Sequence, residues 1–182
     1  MKRLVCIFCI FYILIINFIH QASAKDIKVN ISGNVIIPPC SIEVLAYVDF
    51  PFGEINDAYT NEKPVFKQNT YRIDCGYYWG EPYLTISGPS LPGAPSDILT
   101  LRRDEGGESA IGVEFYQGNA ASQGAKIVLG GDPYKNKITS GLTNVNSSQS
   151  NLTITAKLFR IAGKKILVGS YTGSATMTFS YL

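Results

Sequence analysis

Gly169-Ser-Tyr171-Thr-Gly173-Ser-Ala175-Thr-Met177-Thr-Phe179-Ser-Tyr181-Leu182 stands at the end of the sequence, with small or apolar residues alternating with Ser or Thr to the last position. A period of two puts Tyr171, Gly173, Ala175, Met177, Phe179 and Tyr181 on one face of a β-strand. Chain ends usually fray, so a strand that keeps its alternation this far is expected to have a partner along its edge. That partner is either the first strand of a closed sandwich or a strand from elsewhere.

The same period recurs upstream. Ile27, Val29 and Ile31 alternate with Lys28, Asn30 and Ser32, and Val35 and Ile37 keep the phase past Gly33. Further runs are Ile42 to Val48, Tyr71-Ile73-Cys75, Leu84-Ile86, Ile111-Val113-Phe115, Ile127-Leu129, Leu152-Ile154-Ala156-Leu158 and Ile166-Val168. Between them stand turn formers: Pro38-Pro39, the Gly88 to Pro95 stretch, Gly106-Gly107, Gly130-Gly131-Asp132-Pro133 and Asn144 to Ser150. No helix-period segment longer than about two turns follows residue 25. Many short strands separated by Gly, Pro and Asn turns predict an all-β chain folded as an antiparallel sandwich. There is no internal repeat, and no linker long enough to divide two domains.

The first 24 residues read differently. Lys2 and Arg3 precede an apolar stretch from Leu4 to Ile19, followed by Ala22-Ser23-Ala24. A basic start, an apolar middle and a small-x-small end are the parts of a secretory signal peptide. The alternative is an uncleaved anchor, but no stop-transfer charges follow, and the stretch is short of the roughly 20 residues a span needs. Removing 24 of the 182 residues leaves 158, enough for one domain with a real core. Cys6, Cys9 and His20, the single histidine, leave with the leader. Without histidine, Ser-His-Asp and Cys-His catalysis and histidine-ligated metal sites are excluded. Losing Lys2 and Arg3 brings 16 basic residues to 14, against 14 acidic ones. A neutral balance argues against nucleic acid or an anionic membrane as the main partner. Export with two remaining cysteines predicts one structural disulfide, Cys40–Cys75, the alternative being two free thiols. Neither cysteine has a CxxC partner, so a redox or zinc role is not expected.

Several stretches together resemble the pilins of the chaperone–usher pathway. Gly169 and the penultimate Tyr181, joined by Tyr171, Gly173, Ala175, Met177 and Phe179, are similar to that family's C-terminal motif. Ile27-x-Val29-x-Ile31-x-Gly33-x-Val35 resembles a donor-strand extension, with glycine in the fourth of five alternating places. Asn34 to Cys40, Phe52-Gly53-Glu54-Ile55-Asn56 and Phe115-Tyr116-Gln117-Gly118 resemble the minor tip subunits of P pili. The resemblance implies an incomplete immunoglobulin-like sandwich lacking its last strand and completed in trans. It implies a signal peptide at 1–24, a donor-strand extension at 25–37 and a pilin domain at 38–182. It implies a minor fimbrial subunit, a tip adaptor that links adhesin to fibre and so supports cell adhesion, rather than an enzyme. The implied partners are a periplasmic chaperone, an outer-membrane usher, neighbouring pilins and an adhesin, and the implied destination is the surface fimbrium, reached through the periplasm. Val35 would take the last groove pocket, and the Leu182 carboxylate would be held by basic chaperone residues. A repeating tip or rod subunit is the alternative within the family. No cofactor, metal or small-molecule substrate is implied.

Other features read as structure. Tyr77-Tyr78-Trp79 has the faces to stack on a sugar ring, which keeps a secreted carbohydrate-binding sandwich open, but directly after Cys75 the expectation is packing near the sandwich edge. Arg102-Arg103-Asp104-Glu105 mixes signs and reads as a solvated loop. The glycine pairs fit no phosphate-binding pattern. No catalytic constellation emerges.

Overall fold

The computed structural model describes residue 30 and residues 32–43, 50–55, 61, 63–119 and 124–182. The leader and the expected donor-strand residues Ile27, Val29 and Ile31 lie outside these. The chain divides into two units, residues 1–35 and 36–182. Within the first, Gly33 and Val35 are exposed and in no strand, Val35 to 98%.

The second unit contains ten strands among its described residues and no helix: β1 Ser41–Glu43, β2 Phe66–Asp74, β3 Pro82–Ser87, β4 Leu99–Thr100, β5 Arg102–Arg103, β6 Ile111–Gln117, β7 Lys126–Ile127, β8 Gln149–Arg160, β9 Tyr171–Thr172 and β10 Thr176–Tyr181. One sheet runs β1-β2-β8-β6-β4, with β7 beside β6. The others are the pairs β3–β10 and β5–β9, and every pairing is antiparallel. Alternation decides which side chains go in. Tyr71 and Ile73 of β2, Val113 and Phe115 of β6, and Leu152, Ile154 and Ala156 of β8 pack with Leu84 and Ile86 of β3 and Phe179 and Tyr181 of β10 in one buried cluster. A second cluster gathers Ala110, Ile111, Leu158 and Ile166. Half-buried Phe52 and Leu101 pack against both.

The Cys40–Cys75 disulfide is formed, with Cα atoms 4.3 Å apart. It ties the residue before β1 to the residue after β2. One polar cluster belongs to the sheet's other face. Buried Glu114 on β6 accepts from Lys126 (2.8 Å) and Tyr116 (3.0 Å) and pairs with Lys157 (3.0 Å), while Lys126 also pairs with Asp97 (2.7 Å). Burial pushes the Glu114 carboxyl up, but the two ammonium groups outweigh it, and the group titrates below the ordinary carboxylate value. Burial, then Glu114 itself, pushes the Tyr116 hydroxyl up to about 12.

Two sequence expectations differ from the structure. Ile166-Val168 forms no strand: Ile166 is buried while Val168 is 92% exposed. Arg102–Glu105 is no free loop, because Arg102–Arg103 pairs as β5 with β9, and Arg103 Nε donates to Val168 O at 2.8 Å.

Candidate functional site

The stretch from Ser170 to Leu182 has two unlike edges. Leu182 N donates to Glu81 O (2.9 Å) and Glu81 N donates to Leu182 O (3.0 Å), a hydrogen-bonded antiparallel pair. Pairs two residues on repeat that pattern, so Ser180, Thr178 and Thr176 bond to Tyr83, Thr85 and Ser87, in the observed register. The N–H and C=O groups of Tyr181, Phe179 and Met177 therefore face away from β3. Pro82, which has no N–H, stands opposite Tyr181, where none is needed on the β10 side. Further upstream Asp104 N donates to Ser170 O (2.9 Å), and Arg102 pairs with Thr172. Ser170 and Thr172 are thus sealed beside β5, and Thr176, Thr178, Ser180 and Leu182 beside β3.

Among the described residues, the odd-numbered edge is open over most of its length. Phe179 O accepts from Cys40 N at 2.8 Å. Among the described residues, the backbone groups of Tyr171, Gly173, Ala175 and Met177 find no such partner. The side chains along this edge show the same change. Phe179 and Tyr181 are fully buried and meet edge to face, centroids 5.6 Å apart. Met177 and Tyr171 are half-buried, and Gly173 and Ala175 are exposed. Leu101 lies against Gly173, where an added Cβ would stand 2.7 Å from Leu101 Cδ2 and 2.8 Å from Thr100 O. Tyr171, Leu101 and Met177 form an apolar line that packs on the buried clusters yet keeps exposed surface. An unpaired edge above partly uncovered core is a template for another strand.

Both ends of this edge are held. At Gly169 the backbone takes φ +148°, and a side chain there would run into Arg103 and Glu105. Arg103 binds Val168 O and pairs with Glu105 at 3.2 Å, and Thr172 Oγ1 donates to Asp104 Oδ1 at 3.0 Å. At the other end Gly80 takes φ +111°, with its would-be Cβ 2.6 Å from Leu182 O. Leu182 itself is half-buried. Sequence reasoning singled out Gly169, Tyr171, Gly173, Ala175, Met177, Phe179, Tyr181 and Leu182, which lie along this one ribbon. It missed Leu101 and Arg103, whose relation to the ribbon arises from pairing across about 70 residues of chain.

The aromatic triplet is split. Tyr78 is half-buried against the core, and Trp79, stacked on it with centroids 5.9 Å apart, is 66% exposed. Among the described residues no His/Cys/Asp/Glu group could hold a metal ion, and no helix is long and apolar enough to cross a membrane.

No protein-family model matches the chain. The fimbrial adapter PapF of Escherichia coli is 28% identical over 163 residues, covering 88% of this chain and 90% of PapF. The minor fimbrial protein PrsF of the same organism is 26% identical over 161 residues, with the same coverage. Among solved structures, the P pilus rod subunit PapA superposes with a TM-score of 0.58 at 18% identity, over 85% of this chain and all of that one. The P pilus adaptor subunit PapF superposes with a TM-score of 0.50 at 22% identity, over 82% of this chain and all of that one. The fold is therefore that of pilus subunits, an immunoglobulin-like sandwich one strand short. The likenesses in sequence to PapF and PrsF support a PapF-like chaperone–usher pilin, a minor subunit of a pilus.

Proposed function

We propose that the chain is a tip adaptor, which accepts one strand along its open edge and donates another to a neighbour, so joining an adhesin to the fibre. Residues 1–24 are a leader removed on export to the periplasm, 25–37 the donated strand and 38–182 the accepting body. The observation that carries this reading is the open edge from Tyr171 to Met177 above half-buried Leu101. A donor running antiparallel to β10, as in an antiparallel sandwich, displaces Cys40 N from Phe179 O to place its first apolar residue near Tyr181 and its last near Gly173 and Tyr171. In the periplasm a chaperone supplies that strand; at the usher the next subunit's extension replaces it. No step of this cycle needs catalytic chemistry in the chain.

For donation, Ile27, Val29, Ile31 and Val35 share one face and enter the neighbour's groove. Burying four such aliphatics is worth roughly 6–12 kcal/mol before association costs. Gly33 lets the two backbones approach closely. Gly33→Arg tests the assignment: the variant is expected to bind chaperone through its own groove yet fail as a donor in exchange with a neighbouring pilin. Normal polymerisation of the variant sinks it. Wild-type chain that exchanges readily with a synthetic copy of its own residues 25–37 is a repeating subunit; an adaptor prefers extensions of a different sequence.

A further inference from the structure

Trp79 is the single tryptophan of the chain and, at 66% exposure, an unusual residue to leave in water. It is not a loose side chain. Its ring stacks on Tyr78, which packs on the core, and Glu81, two residues on, pairs with Leu182 through both backbone groups. With the Asn146 amide turned to donate, it bonds Gly80 O at 3.1 Å and Tyr78 O at 3.3 Å, fixing both backbone neighbours of Trp79. A rigid, exposed, amphipathic ring is the anchor chemistry of protein interfaces.

The connectivity says what meets it. Trp79 is four residues from Cys75, whose Cα is 4.3 Å from that of Cys40. Cys40 is also where the body hands over to the donated segment. Cys40 lies five positions after Val35, a reach of at most about 18 Å when fully extended. Pro38-Pro39 shorten and stiffen it, since polyproline rises about 3.1 Å per residue. Once Val35 is seated, the receiving subunit's groove must open within that distance of Cys40. The corresponding end of this chain's own groove, beside Gly169, carries exposed Leu167 and Val168, at 39% and 92%. We infer that Trp79 is the docking anchor of a body-to-body contact, seated on an aliphatic patch at the groove mouth of the pilin that receives this chain's extension. The contact is head to tail: one end of each body meets the opposite end of its neighbour. It rests on the donor-strand reading above.

A single tryptophan makes the test direct. The chaperone-bound chain is exchanged into an acceptor pilin freed of tryptophan, and acrylamide quenching of Trp79 is read before and after, with a tryptophan-free chaperone. Quenching is expected to fall at least twofold with a blue shift on exchange, and acceptor filled by peptide 25–37 alone is expected to leave added chain unprotected. In Trp79→Ala, spin labels on the two bodies are expected to show a broader distance distribution while exchange itself proceeds. Unchanged quenching after exchange overturns the inference, as does protection already complete in the chaperone complex or produced only by added oligosaccharide. If neither chain nor peptide enters the acceptor, the donor-strand reading falls first and this one with it.

Discussion

Proline at two adjacent positions of β10 separates the sealed edge from the open one. At Thr178 the N–H points to β3, within the bonded pair Thr178–Thr85. Thr178→Pro removes a ladder bond worth about 1 kcal/mol and strands a half-buried acceptor at about 1–3 kcal/mol more, so a loss of roughly 3 kcal/mol is expected before any strand is captured. At Met177 the N–H points to the open edge and, among the described residues, has no partner to lose in the uncomplemented chain. Met177→Pro is therefore expected to cost no more than about 1 kcal/mol over Met177→Ala, the control for the lost side chain. Capture reverses the ranking. An incoming strand finds no donor at residue 177 and meets the ring, a penalty of about 2–3 kcal/mol, or roughly 30–150-fold in Kd. Urea unfolding of the peptide-free chain and anisotropy of a labelled donor peptide give the two numbers. Equal destabilisation by both prolines, or unchanged peptide affinity in Met177→Pro, would show that this edge is not the free one.

Replacing both Cys40 and Cys75 by serine opens a loop of sequence separation 35 and is expected to cost roughly 3–4 kcal/mol in the chain-entropy account, seen as a lower urea midpoint. Stability should also respond to pH at both extremes. Glu114 titrates below its unfolded value, so its contribution is present above about pH 4.5 and lost as pH falls through the folded value. Lys126, which burial lowers but Asp97 and Glu114 raise further, and Tyr116, raised to about 12, both contribute fully below about pH 10 and lose it as pH rises through their folded values. Tyr116 is half-buried and its hydroxyl is partly screened by solvent, so its share is about 1 kcal/mol at most. Thermal melts of Glu114→Gln, flat in acid where the wild type slopes, check the first limb; wild-type melts unchanged from pH 9 to 12 would contradict the second.

How far the sequence disclosed this depended on whether an interaction was periodic. Phe179 and Tyr181 alternate and are buried as their spacing predicts. Tyr171, Gly173 and Ala175 alternate in the same phase yet stay partly or wholly exposed, because alternation reports the face a residue presents and not whether anything covers it. Ile166 and Val168 show where the rule fails. The segment after Ile166 follows the Arg103 side chain, which holds Val168 O from 65 residues away, and no local pattern encodes that tether. The mixed charges of Arg102–Glu105 looked like solvated loop for the same reason. Glu114, between Val113 and Phe115, had the signature of an outward surface position, and its burial against Lys126 and Lys157 emerges only once β6, β7 and β8 are side by side.

The disulfide also decides how the body bears tension. A pull on residues 36–39 arrives first at Cys40, ahead of β1, a three-residue strand whose ladder could be peeled one bond at a time. Cys75 diverts that load covalently to the end of β2, which is locked to β8 over nine residue pairs, so force meets a long ladder in shear rather than a short one in peel. The Cys40 bond to Phe179 O shares part of it with the opposite sheet. On the proposed donor-strand reading, a fibre strained by flow would thus stretch its connectors before it unravelled its bodies, and reduction would move the weakest point from the joint between subunits into the subunit itself.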